Sequence, residues 1–361
     1  MLQRVEKKDE AHYVANIDLL RGVAVLSVFA HHAFALTGFR VPYLDQAGGL
    51  VGVQLFFILS GYLISESATN HAFSAYAVHR FFRIFPAYWV ALLLVGVMGP
   101  MTWNWVVHRP LGVLLSAVNL QQLDAVALLE LDVLHVTWTL TVEVIWYVIA
   151  PLVLLAYRRH AWLTWIALAC LSVGWSLAAT HHVLDPLYSG RLAVMTQPVS
   201  PGQYDVLVGA AFPAQLVFFG MGALVYRYRE QARRLSAVGL FACMFFCIVV
   251  LDELGAYGTS PPIPLGIGLT AFFILLLRAR PIRIPILVHM GKISYSIYLL
   301  HVPVLLACMG YMPGAAKWQV PTALLVVTLV AHVMYTLIER PCMGVARQLL
   351  SRRTGTPVRP A

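Results

Sequence analysis

The 361-residue chain is 60% hydrophobic and only 11% charged, with a mean hydropathy of +0.76, whereas a soluble domain carries roughly 45–50% apolar and about 25% charged residues. A water-soluble globule is excluded. The formal net charge of +9 is read as loop topology, since Lys and Arg collect on one side of a bilayer, and no nucleic-acid partner is expected.

A spanning helix needs about 20 mostly apolar residues. On that criterion the runs predict ten helices near 18–38, 48–66, 86–100, 137–156, 161–180, 211–226, 236–251, 262–277, 293–309 and 321–338. The predicted fold is all-α: one polytopic membrane domain over residues 1–345, followed by a basic cytoplasmic tail over 346–361. The first run follows a charged tail, is studded with polar residues and has no small-residue cleavage site, so it reads as a retained helix and not a removed signal peptide. The third run is short and ends in Gly99-Pro100, and a half-length apolar run at 111–120 suits a re-entrant or interfacial piece. With a cytoplasmic N-terminus, only Arg40, Arg109, Arg191 and Lys317 of the 25 Lys and Arg fall in outer loops, with Arg21 inside the first helix. Both termini are therefore predicted to be cytoplasmic. Cys170, Cys243, Cys247, Cys308 and Cys342 lie in or beside apolar stretches without metal-ligand spacing and read as packing residues. No metal site is expected.

Charged side chains at membrane depth are costly and mark function or a buried pair. In the first helix, Arg21 and His32 are eleven residues apart, about 20° beyond three full turns and roughly 16 Å along the axis, so both face the same way. Asp18 precedes Arg21 by three residues and shares that stripe. A plain Asp18–Arg21 ion pair with a packed histidine above it is the competing account. His31 is turned about 100° away and reads as structural. In His79-Arg80-Phe81-Phe82-Arg83-Ile84-Phe85-Pro86-Ala87-Tyr88-Trp89, Arg80 and Arg83 offer two guanidinium forks to one side, suited to phosphate oxygens. The alternative is ordinary membrane-surface basic residues with an aromatic belt. Pro86 is expected in a first turn. Glu143 and His32 each lie about six residues inside the outer ends of their predicted helices, a depth that permits a His–Glu pair; a structural partner for another buried group is the competing role for Glu143. The hydroxyls and imidazole of Ser294 through His301 read as interhelical hydrogen-bonding groups.

Taken together, these stretches resemble the acyltransferase-3 family of integral membrane acyltransferases, which move acyl groups onto glycans and other hydroxylated acceptors. The resemblance rests on Asp18-Leu19-Leu20-Arg21-Gly22 with His32, Gly52 through Ile64, Arg80 through Trp89, Trp138 through Tyr147, Ser294 through His301 with Pro303, and the closing Glu339-Arg340-Pro341. It spans nearly the whole chain. Glu143 is followed by Val144 where many members have a second acidic residue, and Gln54 stands where many have an aspartate or another polar group. The chain stops soon after the tenth predicted helix, so the extracytoplasmic hydrolase-like domain of longer relatives is not expected here.

The resemblance implies a multi-pass inner-membrane O-acyltransferase with acyl-CoA, most simply acetyl-CoA, as co-substrate and a carbohydrate or lipid-linked glycan as acceptor. It implies Arg80 and Arg83 as the docking site for CoA phosphates and His32 as base or acyl carrier. Glu143 is expected to orient the imidazole, and Arg21 to orient the CoA end of the channel or to pair with Asp18. Ser60, Tyr298 or backbone amides are candidate oxyanion donors. The runner-up function is a transporter or channel using Asp18, Arg21, His32 and Glu143 as a polar path; a membrane scaffold or sensor is third.

Overall fold

The computed structural model describes residues 2–45, 47–98, 108–193, 195, 197–250, 262–282, 284–312 and 314–354, which are helical or irregular with no strand among them. The principal helices are α1 (Leu2–Thr37), α2 (Gly48–Asn70), α3 (Phe73–Met98), α4 (Thr137–Thr180), α5 (Phe212–Arg227), α6 (Ala237–Phe245), α7 (Ile263–Arg278), α8 (Pro285–Lys292), α9 (Ser294–Tyr311), α10 (Ala316–Met334) and α11 (Arg340–Thr354). Lipid offers the backbone no hydrogen bonds, which is why a chain of this composition folds as helices.

Over the described residues each predicted run falls largely on helix, while fewer helices than ten meet the length and composition test for a crossing. Six helices are long and apolar enough to cross a bilayer, and a seventh crossing is possible as the bent pair Pro201–Gly209 and Phe212–Arg227, angled by 55°. Ala237–Val250 and Ile263–Arg278 are apolar but short, so length does not support ten. The 44-residue α4 breaks at His160, whose φ of −140° and ψ of 68° are not helical. Its two parts correspond to the predicted runs 137–156 and 161–180.

Pro86 does not start a helix. It lies inside α3, which begins at Phe73. A proline inside a helix removes one backbone bond and strains the preceding turn; the Tyr295 hydroxyl from α9 donates to the Ile84 carbonyl in that turn at 3.0 Å. The stretch before Pro86 is itself helical and carries Arg80 and Arg83. Residues 111–120 fall largely on the short helix Pro110–Ala117, too short to span. Tyr88 donates to Ser116 O at 2.6 Å and the Trp89 indole to Ala117 O at 2.8 Å, tying this piece to α3. Residues 346–354 continue α11, which packs on α3.

Two seams of near backbone contact position the site. A Cβ on Gly22 would strike the Leu287 carbonyl of α8, and one on Gly291 would strike the Asp18 carbonyl of α1. Gly61 and Gly222 make the same arrangement between α2 and α5, against the carbonyls of Phe219 and Ile58. Association of helices in lipid depends on such close approach, since lipid removes the ordinary hydrophobic drive. Asn16 adds a polar tie: its amide donates to the carbonyls of Leu276 and Ala279 at the end of α7, and its oxygen accepts from Ile282 N at 3.1 Å.

Candidate active site

Helices α1, α2, α3, α4 and α9 surround a cavity with about 90 Å³ of room for water-sized spheres. Arg21, Arg80, Arg83, Glu143, Tyr147 and Tyr295 are among its polar walls. Four of the five residues singled out from the sequence thus share one cavity, although they come from α1, α3 and α4. The same-face spacing of Arg80 and Arg83 is what brings both to it.

The three guanidiniums are held differently. Arg83 Nη1 meets Glu339 Oε2 at 3.2 Å, and the second oxygen of that fully buried carboxylate accepts from the Ser296 hydroxyl. Glu339 arrives there from the π-helical turn Tyr335–Glu339 between α10 and α11; the wider turn rotates the residues that follow it relative to an unbroken helix. Arg21 lies 3.6 Å from Asp18, as the i, i+3 spacing predicts. Arg80 donates from Nη2 to Ser67 Oγ at 3.1 Å, and its guanidinium carbon lies 5.9 Å and 5.7 Å from the ring centres of Tyr76 and Tyr147. Its Nε is buried without a hydrogen-bond partner among the described residues. A buried donor left unpaired costs about 1–3 kcal/mol, so Arg80 has unused capacity for an anion.

Glu143 is satisfied by two hydroxyls: Ser60 Oγ and Tyr147 OH each donate to Oε1 at 2.5 Å. It therefore is not hydrogen-bonded to His32, and equal depth did not make the two groups neighbours. Ser60 serves the carboxylate. Tyr298, another candidate oxyanion donor, shares a 2.5 Å hydrogen bond with Thr139 Oγ1 and lies 3.3 Å from Val136 O. The start of α4 that carries Thr139 is itself fixed by Asp132, which accepts from the backbone N–H groups of Leu134, His135 and Thr137. Thr137, the first helical residue, has an N–H that a helix start leaves unpaired, and the other two bonds fix the loop just before it.

His32 is half-buried and is not among the residues that line this cavity. Its ring is 4.9 Å from that of His301, which is fully buried on α9 and 5.6 Å from the Tyr298 ring. Three contacts define this pair. His301 Nδ1 is 2.7 Å from Tyr298 O, His301 Nε2 is 3.1 Å from His32 Nδ1, and His32 Nδ1 is 3.1 Å from Val28 O. His31 turns away and meets the Asp45 carbonyl at 3.2 Å, as its helical angle requires. The histidine partner of His32 is 269 residues away in sequence; the sequence marked His301 as an interhelical group, and nothing in its spacing named the helix it faces.

A family model described as an acyltransferase domain matches residues 14–337. YrhL of Bacillus subtilis, named for peptidoglycan O-acetylation, is 25% identical over 96% of this chain and 57% of its own length. Nodulation protein 10 of Rhizobium leguminosarum is 24% identical, covering 94% of this chain and 95% of that protein. The peptidoglycan O-acetyltransferase OatA of Listeria monocytogenes is 22% identical over 91% of this chain and 56% of its length. The chain thus spans little more than half of the two peptidoglycan-named relatives and nearly all of the nodulation protein. No solved structure matches.

Proposed function

This chain belongs to the acyltransferase family whose model covers residues 14–337, and from that premise we propose that it is a membrane-embedded O-acyltransferase that moves an acyl group, most simply acetyl, from acyl-CoA to a hydroxyl of a cell-surface glycan. The observation that carries this reading is the convergence of Arg21, Arg80 and Arg83 on one cavity, with the Nε of Arg80 unpaired. Charge-assisted bonds to phosphate oxygens are the natural complement of such donors. Arg83 is engaged with Glu339, so in this reading Arg80 makes the first phosphate contact, and Arg21 and Arg83 set the positive field behind it. In this reading the arginine end faces the cytoplasm, where acyl-CoA is made, a sidedness supported by the bias of Lys and Arg toward one set of loops.

The thioester end of the donor then passes Tyr298 toward His32. There the acceptor oxygen attacks the thioester carbonyl carbon as its proton moves to the His32 imidazole. The tetrahedral intermediate expels the CoA thiolate, which takes the proton from His32, leaving an ester, CoA thiol and neutral histidine. General-base action of this kind contributes roughly 10²–10⁴-fold. Glu143 keeps Ser60 and Tyr147 in place and does not orient the ring. The peptidoglycan named for two relatives makes a glycan the acceptor class to test first.

The test is mass spectrometry of surface glycans from a deletion strain complemented with wild-type protein or with His32→Ala. Loss of an acyl mass on deletion, restored by wild type and not by a normally inserted His32→Ala protein, is the expected result. An unchanged glycan on deletion rejects the function, and full restoration by His32→Ala rejects the base. Uptake or efflux by proteoliposomes without acyl-CoA consumption would favour a transporter.

A further inference from the structure

The two imidazoles form a chain whose hydrogen positions follow from what carbonyls can do. A carbonyl oxygen only accepts, so the 2.7 Å contact between His301 Nδ1 and Tyr298 O places a hydrogen on that nitrogen. A neutral His301 then has a bare lone pair at Nε2. That lone pair faces His32 Nδ1 at 3.1 Å, and His32 Nδ1 faces a second acceptor, Val28 O, also at 3.1 Å. Both contacts are met only if His32 carries its hydrogen on Nδ1 and shares it between them. The assignment comes from this network, since hydrogens are placed by their partners. What it leaves is the other nitrogen of His32, Nε2, with a lone pair and no partner among the described residues.

We infer that His301 is a positioning residue for the acyl transfer: it fixes the tautomer and orientation of His32 so that Nε2 is the nitrogen that takes the acceptor's proton. This rests on the reading of His32 as the base. The role corresponds to that of the carboxylate behind the histidine of a serine-hydrolase triad, which sets the tautomer and supports the imidazolium. Here a neutral ring does it. When Nε2 gains its proton, His32 becomes cationic, and its Nδ1–H bond to the His301 lone pair becomes charge-assisted and stronger. His301 needs no proton change in that step. Its own orientation is set one residue further along the chain of contacts, by the backbone of Tyr298, so the catalytic ring is anchored to α9 as well as to its own helix.

Two side chains separate this role from simple packing. Glutamine at 301 offers an oxygen that accepts from His32 Nδ1, whereas leucine fills similar space and accepts nothing. The assay is CoA release in proteoliposomes, with acetyl-CoA and the glycan isolated from the deletion strain. His301→Leu is expected to lower kcat by about 10–100-fold, by analogy with the loss of partners that orient metal-bound histidines, with KM for acetyl-CoA unchanged. His301→Gln is expected to recover most of the loss. Equal losses in both variants, or none in either, overturn the inference. An active His32→Ala protein instead overturns the base assignment beneath it, so the two failures are distinguishable. Should the variants not fold, the ¹⁵N spectrum of wild-type protein labelled at histidine, with the His32 signals assigned by their absence from His32→Gln, decides the matter: hydrogen at Nδ1 and a bare Nε2 support it, and the reverse tautomer refutes it.

Discussion

The two ends of the polar region are built on opposite principles. Around the arginines, three of the charged groups lean on several neighbours: Glu143 on two hydroxyls, Glu339 on Arg83 and Ser296, and Arg80 on Ser67 and two rings. At the His32–His301 pair, the hydrogen bonds among the described residues are the one between the two rings and those to two backbone carbonyls. A charge removed from water has to be compensated repeatedly or it unfolds the bundle, whereas a neutral ring needs only to be aimed. Stability is therefore concentrated at one end and chemical sensitivity at the other.

The sharpest way to break that contrast is Glu339→Ala, which leaves Arg83 and Ser296 without their carboxylate. Removing one partner of a buried pair costs about 3–5 kcal/mol, so a large drop in the thermal midpoint of detergent-solubilised protein is expected. An unchanged midpoint would mean that solvent, and not Glu339, compensates Arg83. Next in size is Tyr147→Phe. A hydrogen bond to a charged group contributes about 1.5–3 kcal/mol, but Ser60 remains on Glu143. Stability should fall, while turnover falls by less than in His301→Leu; the opposite order would erase the distinction between the two ends. Arg80→Ala should weaken acetyl-CoA binding, measured by calorimetry, by roughly tenfold or more, as loss of a charge-assisted contact does, and unchanged affinity would remove Arg80 from the docking site. The smallest effect belongs to Trp89→Phe, which gives up one exposed bond to Ala117 O and about 0.5–1.5 kcal/mol at most, with turnover intact.

Much of this arrangement was legible in the sequence because it is local. Apolar runs placed the helices, the i, i+3 spacing paired Asp18 with Arg21, and a shared face sent Arg80 and Arg83 into one cavity. What was not legible depends on which helices touch. Depth suggested Glu143 for His32, but depth is one coordinate of three, and α9 rather than α4 presents the partner. Glu339 is 256 residues from Arg83 and reaches it through a π-helical turn that no periodicity announces. Pro86 misled for a related reason: a proline usually marks a boundary, but here it lies inside α3. The ten predicted runs reappear largely as helix, but composition registers apolar length without showing where a helix bends, as α4 does at His160, or falls short of a crossing.

The glycine seams carry one more consequence. Where main chains already touch, as α1 does α8 at Gly22 and Gly291 and α2 does α5 at Gly61 and Gly222, there is no slack to release, and those walls act as fixed jambs. The hollow lined by Arg21, Arg80, Arg83 and Glu143 is thus framed in part by α1 and α2, whose spacing from α8 and α5 is set at the main chain.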